Sequence, residues 1–300
     1  MATERELNKR IRSVKNISQV TSALAAVSAA KANKAQKRVA ATRDYAGKAY
    51  EILINLASQP LVGEASHPLL TAREEVHTSG VILITADRGL AGAYNANVVS
   101  EAVRFLRRLE MPVRMITVGR KGRDLMVRRG YNIVASFESI PDEPSLYNIS
   151  GIADVAIEEF LDGTVDDVFL IYTDFVNFVT RIPTIKQLLP LQPLDIEGAR
   201  EYLRGLTQED VAARVYSYEP GPSELLEELV PRFTELQVYQ AVLEAKASEH
   251  SARMVAMNNA TDNASELIDY LVLERNKARQ TSITNEILDI VGGAEALSKA

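Results

Sequence analysis

The sequence predicts an α/β protein in which a long antiparallel coiled coil, formed by the two ends of the chain, has a small α/β domain inserted between its helices. Two observations predict this fold. At both ends, apolar and small residues recur at alternating spacings of three and four, which is typical of a coiled-coil seam. Between the ends, short apolar runs rich in β-branched residues alternate with helical patterns, which indicates a parallel sheet covered on both faces.

The N-terminal helix is predicted over residues 1–58, because no Gly or Pro occurs before Gly47. Small residues fill the run 23–32 (ALAAVSAAKA), and small seam residues let two helices approach closely. Residues 1–48 hold eleven Lys and Arg residues against three acidic residues, which predicts an anionic partner. The seam of this helix is predicted at Leu7, Ile11, Val14, Ile17, Thr21, Leu24 and Val27.

The C-terminal helix is predicted over residues 223–300, because no Pro follows Pro231 and no Gly occurs from there to Gly292. At 1.5 Å per residue the last sixty-odd residues alone would form a helix roughly 90 Å long, which exceeds the diameter of one domain. It therefore needs a partner helix and a surface outside the chain for its far end. Two helices packed on a globular core remain the alternative. The seam is predicted at Leu243, Ala247, His250, Met254, Met257, Thr261, Ala264, Ile268 and Leu271.

The α/β domain is predicted over residues 75–195, followed by a connecting segment at 196–222. The run KQLLPLQPL contains two prolines and looks extended, and RVYSYEPGP ends in a turn signal. Strands are predicted at 80–86, 113–118, 133–137 and 168–173, and helices at 97–109 and 152–161.

Nucleotide binding is not predicted for this domain. The loop after the first strand, ADRGLAGAYN, holds only Gly89 and Gly92 of a dinucleotide fingerprint, and GRKGRD has the wrong spacing for a phosphate loop. A tight strand-to-helix turn, with Asp87 and Arg88 in a local ion pair, is the expected structure there.

The sequence gives no support for other kinds of functional site either. The chain has no Cys, which excludes disulfides and thiolate sites. Its three histidines, His67, His77 and His250, lack metal-ligand spacing, and His250 is expected to pack in the seam. No catalytic residues, metal or cofactor are predicted. The N-terminus is too charged for a signal peptide, and no run of eighteen apolar residues could span a bilayer. The sequence therefore predicts a chain that lies on the cytosolic side of the membrane.

Six segments resemble, in order, the gamma subunit family of the rotary F-type ATP synthase, bacterial type. They are IRSVKNISQVTSAL, ADRGLAGAYNAN, PTIKQLLPL, YSYEP, QVYQAVLEAKASEHSARMVAMNNATDNA and NKARQTSITNEILDIVGGAEAL. Ala91 stands where the family usually has Cys. The last segment is the most specific, with family signature residues at Ile283, Thr284, Glu286, Ile287, Ile290, Gly293 and Ala294.

The resemblance implies a non-catalytic rotor shaft and a Rossmann-like middle domain without a nucleotide. In that family the terminal helices lie in the bore of a hexamer of alpha and beta subunits, whose catalytic sites are on the beta subunits. The middle domain rests on a membrane ring of c subunits beside the epsilon subunit. The chain would thus transmit torque, regulate ATPase activity and proton flow, and lie peripherally on the cytoplasmic side of the cell membrane.

Three sets of site residues follow from the same resemblance. Arg279 and Gln280 match positions that hydrogen-bond an acidic loop of a beta subunit. These bonds resist free rotation of the shaft, and we call this pair of residues the catch. The rotor-ring contact is expected at Tyr216, Tyr218 and Glu219. An apolar bearing at the helix tip is expected at Ile283, Ile287, Leu288, Ile290 and Val291.

Two other classes of function remain open at this point. One is a dinucleotide-dependent enzyme built on the α/β domain, which the absent fingerprint disfavours. The other is a coiled-coil scaffold or nucleic-acid binder that uses the basic N-terminal helix. The acidic balance of the whole chain and the lack of aromatic residues among the basic ones disfavour nucleic acid.

Overall fold

The computed structural model describes residues 3–57, 67–191 and 221–298. They fall into two compact units: an α/β unit of residues 29–253, and a two-helix unit of residues 1–28 with 254–300. The α-helices are α1 (Glu4–Ala57), α2 (Tyr94–Leu109), α3 (Arg120–Val127), α4 (Tyr147–Leu161) and α5 (Pro222–Ser298), and a 3-10 turn spans Pro68–Leu70. The strands are β1 (Ser79–Ile84), β2 (Val113–Val118), β3 (Asn132–Phe137), β4 (Asp167–Phe175) and β5 (Arg181–Leu189).

Helix α1 begins with a reciprocal cap. The backbone N–H of Thr3 donates to the Glu6 carboxylate at 2.9 Å, and the N–H of Glu6 donates to Thr3 Oγ1 at 3.3 Å. These two bonds satisfy donors that the first turn of a helix leaves without partners.

The five strands form one sheet in the order β3-β2-β1-β4-β5. The four strands predicted from the sequence, β1 to β4, are present and parallel to one another, and β5 runs antiparallel to β4. The prediction of four parallel strands is therefore confirmed, while the antiparallel direction of β5 was not predicted. The reason for this direction is the short connection at 176–180, where the Asn177 side chain accepts from the N–H groups of Val179 and Thr180. A connection this short can only reverse the chain.

Helices cover both faces of the sheet, as predicted. On one face, Val81 and Met115 pack with Val98 of α2 and Met126 of α3. On the other face, Ile82 and Leu170 pack with buried residues of α4 and α5. The buried residues that α4 and α5 contribute include Ile149, Ile152, Phe160, Leu226, Val230, Val238 and Val242.

Helices α1 and α5 are antiparallel within each unit, which confirms the predicted pairing. In the two-helix unit, Leu7 and Ile11 pack with Leu271, and the hydroxyls of Thr21 and Thr261 lie 2.7 Å apart. In the α/β unit, Ala35 and Val39 of α1 pack with Leu243 and Ala247 of α5, next to Phe175 of β4.

The seam residues of α1 are spaced alternately four and three residues apart without exception. This spacing corrects part of the prediction. Ile17 and Val27 are exposed, because the seam passes through Ser18 and Ser28, one residue further along. In the same way, Ala25 is buried while Leu24 is only partly covered. The seam residues are Leu7, Ile11, Val14, Ser18, Thr21, Ala25, Ser28, Ala32, Ala35, Val39, Thr42 and Ala46.

The predicted seam of α5 is confirmed, since all nine positions from Leu243 to Leu271 are buried or partly buried. Among the helices of the described residues, none combines the length and apolarity needed to cross a membrane.

Candidate functional site

The first candidate site is the edge of the sheet where β1 and β4 end. Strand order reverses there, because β2 follows β1 on one side and β4 lies on the other. In open α/β sheets, ligands bind in the crevice at such a reversal, at the carboxyl ends of the strands. A nucleotide-dependent enzyme would use this crevice.

Helix α5 fills that crevice. The Tyr94 hydroxyl donates to the carbonyl of Ala245 at 3.1 Å, and Ala252 packs against Ala86 and Ala91 of the loop after β1. Burial raises the pKa of the Tyr94 hydroxyl, which therefore stays protonated. The space left among Thr85, Tyr94, Gly119 and Glu249 is about 10 Å³. This volume suits about one water molecule, whereas ligand pockets measure roughly 300–1,000 Å³.

The backbone N–H groups at the start of α3, which could bind a phosphate, are already used. At the start of α3, the N–H groups of Arg120, Lys121 and Gly122 donate to Asp87 Oδ1, the Ala86 carbonyl and Thr85 Oγ1. These donors, which in a nucleotide-binding fold would hold an anion, are satisfied from within the chain.

Gly119 allows the chain after β2 to pack directly against the end of β1. Its φ is +95°, and a Cβ there would lie 2.3 Å from the Thr85 carbonyl oxygen. Only Gly permits so close an approach of the two strand ends. The short loop after β2 is thus a packing element rather than a ligand cradle.

The expected ion pair between Asp87 and Arg88 was wrong. The Asp87 carboxylate instead accepts from two backbone N–H groups, those of Arg120 at 3.1 Å and Ser139 at 3.0 Å. A carboxylate at the first turn of α3 also faces the positive end of the helix dipole. Asp87 therefore joins three loops at the end of the sheet.

His250 lies in the seam and is buried, as predicted. Its Nε2 is 3.2 Å from Asp142 Oδ1, and its Nδ1 is 3.4 Å from an Arg253 guanidinium nitrogen. Burial is the largest influence and lowers the pKa of His250, although Glu249 and Asp142 act in the opposite direction. The described residues contain no group of three or more metal-ligating side chains.

The residues expected to contact other subunits lie on the outside. Arg279 and Gln280 are exposed on α5. The five expected bearing residues, Ile283, Ile287, Leu288, Ile290 and Val291, are 48–71% exposed. Tyr216, Tyr218 and Glu219 lie outside the described residues.

Sequence reasoning missed the residues that pair with the basic face of α1. Lys31 binds Asp142, and Lys34 and Arg38 both bind Glu143. The excess of cations had predicted an anionic partner, and part of that partner is in the chain itself. The spacing of the three cations along α1 was a usable signal, but the position of the acidic loop was not.

Comparison with known proteins decides the family. A family model described as ATP synthase matches residues 3–297. The ATP synthase gamma chain of Roseiflexus sp. strain RS-1 is 45% identical over 304 residues, covering 100% of both chains. That of Moorella thermoacetica is 45% identical over 298 residues, covering 99% of this chain and 100% of the relative. This chain belongs to the ATP synthase gamma chain family.

A solved structure agrees with that membership. A chain from the central stalk and c-ring of Tetrahymena thermophila mitochondrial ATP synthase superimposes with a TM-score of 0.58 at 25% identity. The match covers 80% of this chain and 99% of that one. Family membership confirms the resemblance seen in the sequence and the expectation of a non-catalytic stalk subunit.

Proposed function

We propose that this chain is the central rotor shaft of a proton-translocating F-type ATP synthase. It transmits torque between a membrane ring of c subunits and a catalytic hexamer of alpha and beta subunits, with the epsilon subunit beside the α/β unit. The chain lies peripherally on the cytoplasmic side of the cell membrane, attached through the ring. Its membership in the gamma chain family supports this role.

The observation that carries the proposal is the exposed apolar end of α5. Ile283, Ile287 and Ile290 are about half or more exposed, and Leu288 and Val291 extend the apolar surface around the helix. A helix that is apolar on several sides is stable in water only when something encloses it. An apolar sleeve of alpha and beta subunits suits a turning shaft, because a surface without fixed ion pairs offers no preferred stopping angle.

Arg279 and Gln280 form the catch in this proposal. Both side chains are exposed and therefore available to another subunit. The planar guanidinium of Arg can hold a carboxylate with two parallel hydrogen bonds, and Gln adds a neutral donor and acceptor. The proposed partner is an acidic loop of a beta subunit.

The proposed contact with the membrane ring is made by Tyr216, Tyr218 and Glu219, in a run for which the sequence predicts a turn. Tyr rings offer a broad apolar area with a polar tip, which suits a hydrated interface, and Pro220 and Pro222 limit the freedom of the turn. Because the chain has no native Cys, Tyr216→Cys gives a single reactive thiol. On addition of a mild oxidant, it should form a disulfide with a Cys placed in the polar loop of a c subunit. Absence of this crosslink at every loop position would place the contact elsewhere.

Reconstitution tests the function as a whole. The chain should co-purify with alpha and beta subunits of the same organism and increase their ATPase activity, while the chain alone neither binds nor hydrolyses ATP. A stoichiometric ATP site on the isolated chain would support the enzyme alternative instead. Failure to associate with alpha and beta subunits would contradict the rotor proposal.

A further inference from the structure

Helix α1 presents three cations to one short acidic loop. Lys31, Lys34 and Arg38 are spaced by three and four residues, so they share one face of the helix. Lys31 Nζ lies 2.7 Å from Asp142 Oδ2. Lys34 and Arg38 both pair with the carboxylate of Glu143.

Helix α5 holds the same loop from its own side. The Tyr239 hydroxyl donates to the Pro144 carbonyl at 3.2 Å, and Lys246 Nζ donates to the Ile140 carbonyl at 3.1 Å. His250 adds a third contact, to Asp142. Residues 140–144, which connect β3 to α4, are thus gripped by three side chains from each long helix, and we name this segment the acidic clasp.

The electrostatics of the clasp favour its charged form. Partial burial alone would raise the pKa of Asp142, but the hydrogen bond from Lys31 and the charges of His250 and Lys246 outweigh burial and hold that pKa below its usual range. The hydrogen bond from Lys34 lowers the pKa of Glu143, and Arg38 adds to the effect. Both carboxylates are therefore ionised near neutral pH.

The two helices are held to the sheet in different ways. Helix α5 inserts large apolar residues, such as Val230, Val238 and Val242, into the core of the sheet. Beside the clasp, the buried residues that α1 contributes are the small Ala32 and Ala35 and one larger residue, Val39. A seam of small side chains allows close approach but interlocks weakly. Directional ion pairs to the clasp can supply the missing resistance to rotation of α1.

We propose that the acidic clasp is a coupling element that locks α1 and α5 to the sheet of the α/β unit, so that the two helices turn with it as one body. This inference rests on the proposed rotor function. Asp142 and Glu143 are positioning residues in this role, since they act through the helices that they hold.

The test uses the assembled complex in membrane vesicles, with the double variant Asp142→Asn and Glu143→Gln. The ratio of protons pumped to ATP hydrolysed should fall about threefold, since partly exposed ion pairs change an equilibrium by small factors. ATP hydrolysis itself should persist. The matched control is Asp154→Asn with Glu158→Gln, which removes two exposed carboxylates of α4. A ratio equal to that of the control would overturn the clasp.

A charge exchange separates coupling from simple loss of structure. Lys34→Glu with Arg38→Glu should lower the pumping ratio, and adding Glu143→Lys should restore much of it, because the exchange recreates an opposite-charge pair at both positions. Equal loss in the charge-reversed and the exchanged variants would contradict a role for these pairs. Pumping by the wild-type complex in the same vesicles tests the rotor function separately, so a normal wild type beside unaffected variants would reject the clasp alone.

Discussion

Helix α5 has two environments, and the contrast between them separates the part of this chain that its own fold covers from the part that other subunits would enclose in the proposed rotor. In the α/β unit, almost every residue of α5 from Phe233 to Ala252 is buried. In the two-helix unit, only Met257, Ala264 and Leu271 are buried among the described residues of α5. Beyond Ala278, every described side chain of α5 is exposed.

The difference in burial between the two stretches of α5 does not follow from the polarity of their residues. The buried stretch contains Gln240, Glu244 and Ser248, while the exposed stretch contains Ile287 and Leu288. Polar groups remain buried where the sheet and α1 provide partners, as when Ser248 donates to the Thr173 carbonyl at 3.2 Å. Large apolar groups that remain exposed mark a surface that another molecule is expected to cover.

Truncation should give the largest difference between the two stretches. Deleting residues 281–300 removes all five proposed bearing residues and should abolish firm assembly with alpha and beta subunits, since burying them is worth roughly several kcal/mol at about 25 cal/mol per Å². Deleting residues 292–300 should leave assembly and some activity. Gel filtration of the reconstituted complex measures both. Equally firm assembly of the two truncated chains would contradict an enclosed tip.

A matched pair of leucines on α5 probes the same contrast in the isolated chain. Leu243 is 1% exposed and Leu273 is 61% exposed. Leu243→Ala should cost about 2–5 kcal/mol in the free energy of unfolding, because it leaves a cavity, whereas Leu273→Ala should change it by less than about 0.5 kcal/mol. Urea unfolding measures both. Similar losses would mean that Leu273 is covered within the chain.

The corrected seam of α1 provides another pair of residues, one buried and one exposed, whose substitutions can be compared. Ala25 is 5% exposed and Ile17 is 54% exposed. Ala25→Leu should destabilise the isolated chain by about 1–3 kcal/mol through overpacking, and Ile17→Ala should have little effect. The reverse order of effects in urea unfolding would restore the seam first predicted at Ile17.

The catch should show a smaller effect, confined to coupled activity. Arg279→Ala should lower ATP synthesis in membranes roughly tenfold, about 1.4 kcal/mol, near the lower value for a hydrogen bond to a charged group. Arg279→Lys, which keeps the charge but loses the planar fork, should recover only part of it. Expression and unfolding of the isolated chain serve as controls. Unchanged synthesis in the Ala variant would remove Arg279 from the proposed catch.

The smallest expected effect is a pH dependence from His250. Its pKa is lowered by burial, so the folded chain binds this proton less readily than the unfolded chain does. Its stabilising contribution is therefore complete above the ordinary His pKa of about 6.5 and is lost as pH falls below it. The neighbouring Glu249 and Asp142 reduce the loss, and Arg253 and Lys246 increase it.

His250→Gln provides the comparison for this effect. Urea unfolding midpoints at about pH 7.5 and about pH 5.5 lie on either side of the ordinary His pKa. The wild type should lose more stability on acidification than the variant does. The same loss in both chains would assign the pH dependence to other groups.

The sequence predicted the helices better than their exact packing. On α5, the large apolar residues coincide with the heptad spacing, so counting them located the seam. On α1, Ile17 and Val27 stand one residue before the seam positions Ser18 and Ser28, and following hydrophobicity led to the wrong side of the helix. Strict spacing from Leu7 would have located the small and hydroxyl residues instead.

The remaining errors concern contacts that local patterns do not encode. Strand β5 was hard to recognise because it contains Pro183, which an edge strand tolerates. The partners of Asp87 come from loops 33 and 52 residues away along the chain. The acidic clasp joins residues that are more than one hundred positions apart, such as Arg38 and Glu143. Only the fold brings such groups together.

Direct observation of rotation tests the central claim. The chain is assembled with alpha and beta subunits fixed to a surface, and a fluorescent probe is attached through a single Cys introduced at Lys121, which is exposed on α3. On addition of ATP, the probe should turn continuously in one direction, and in the absence of ATP it should not. ATP hydrolysis at the normal rate with a stationary probe would contradict the proposal that this chain is a rotor.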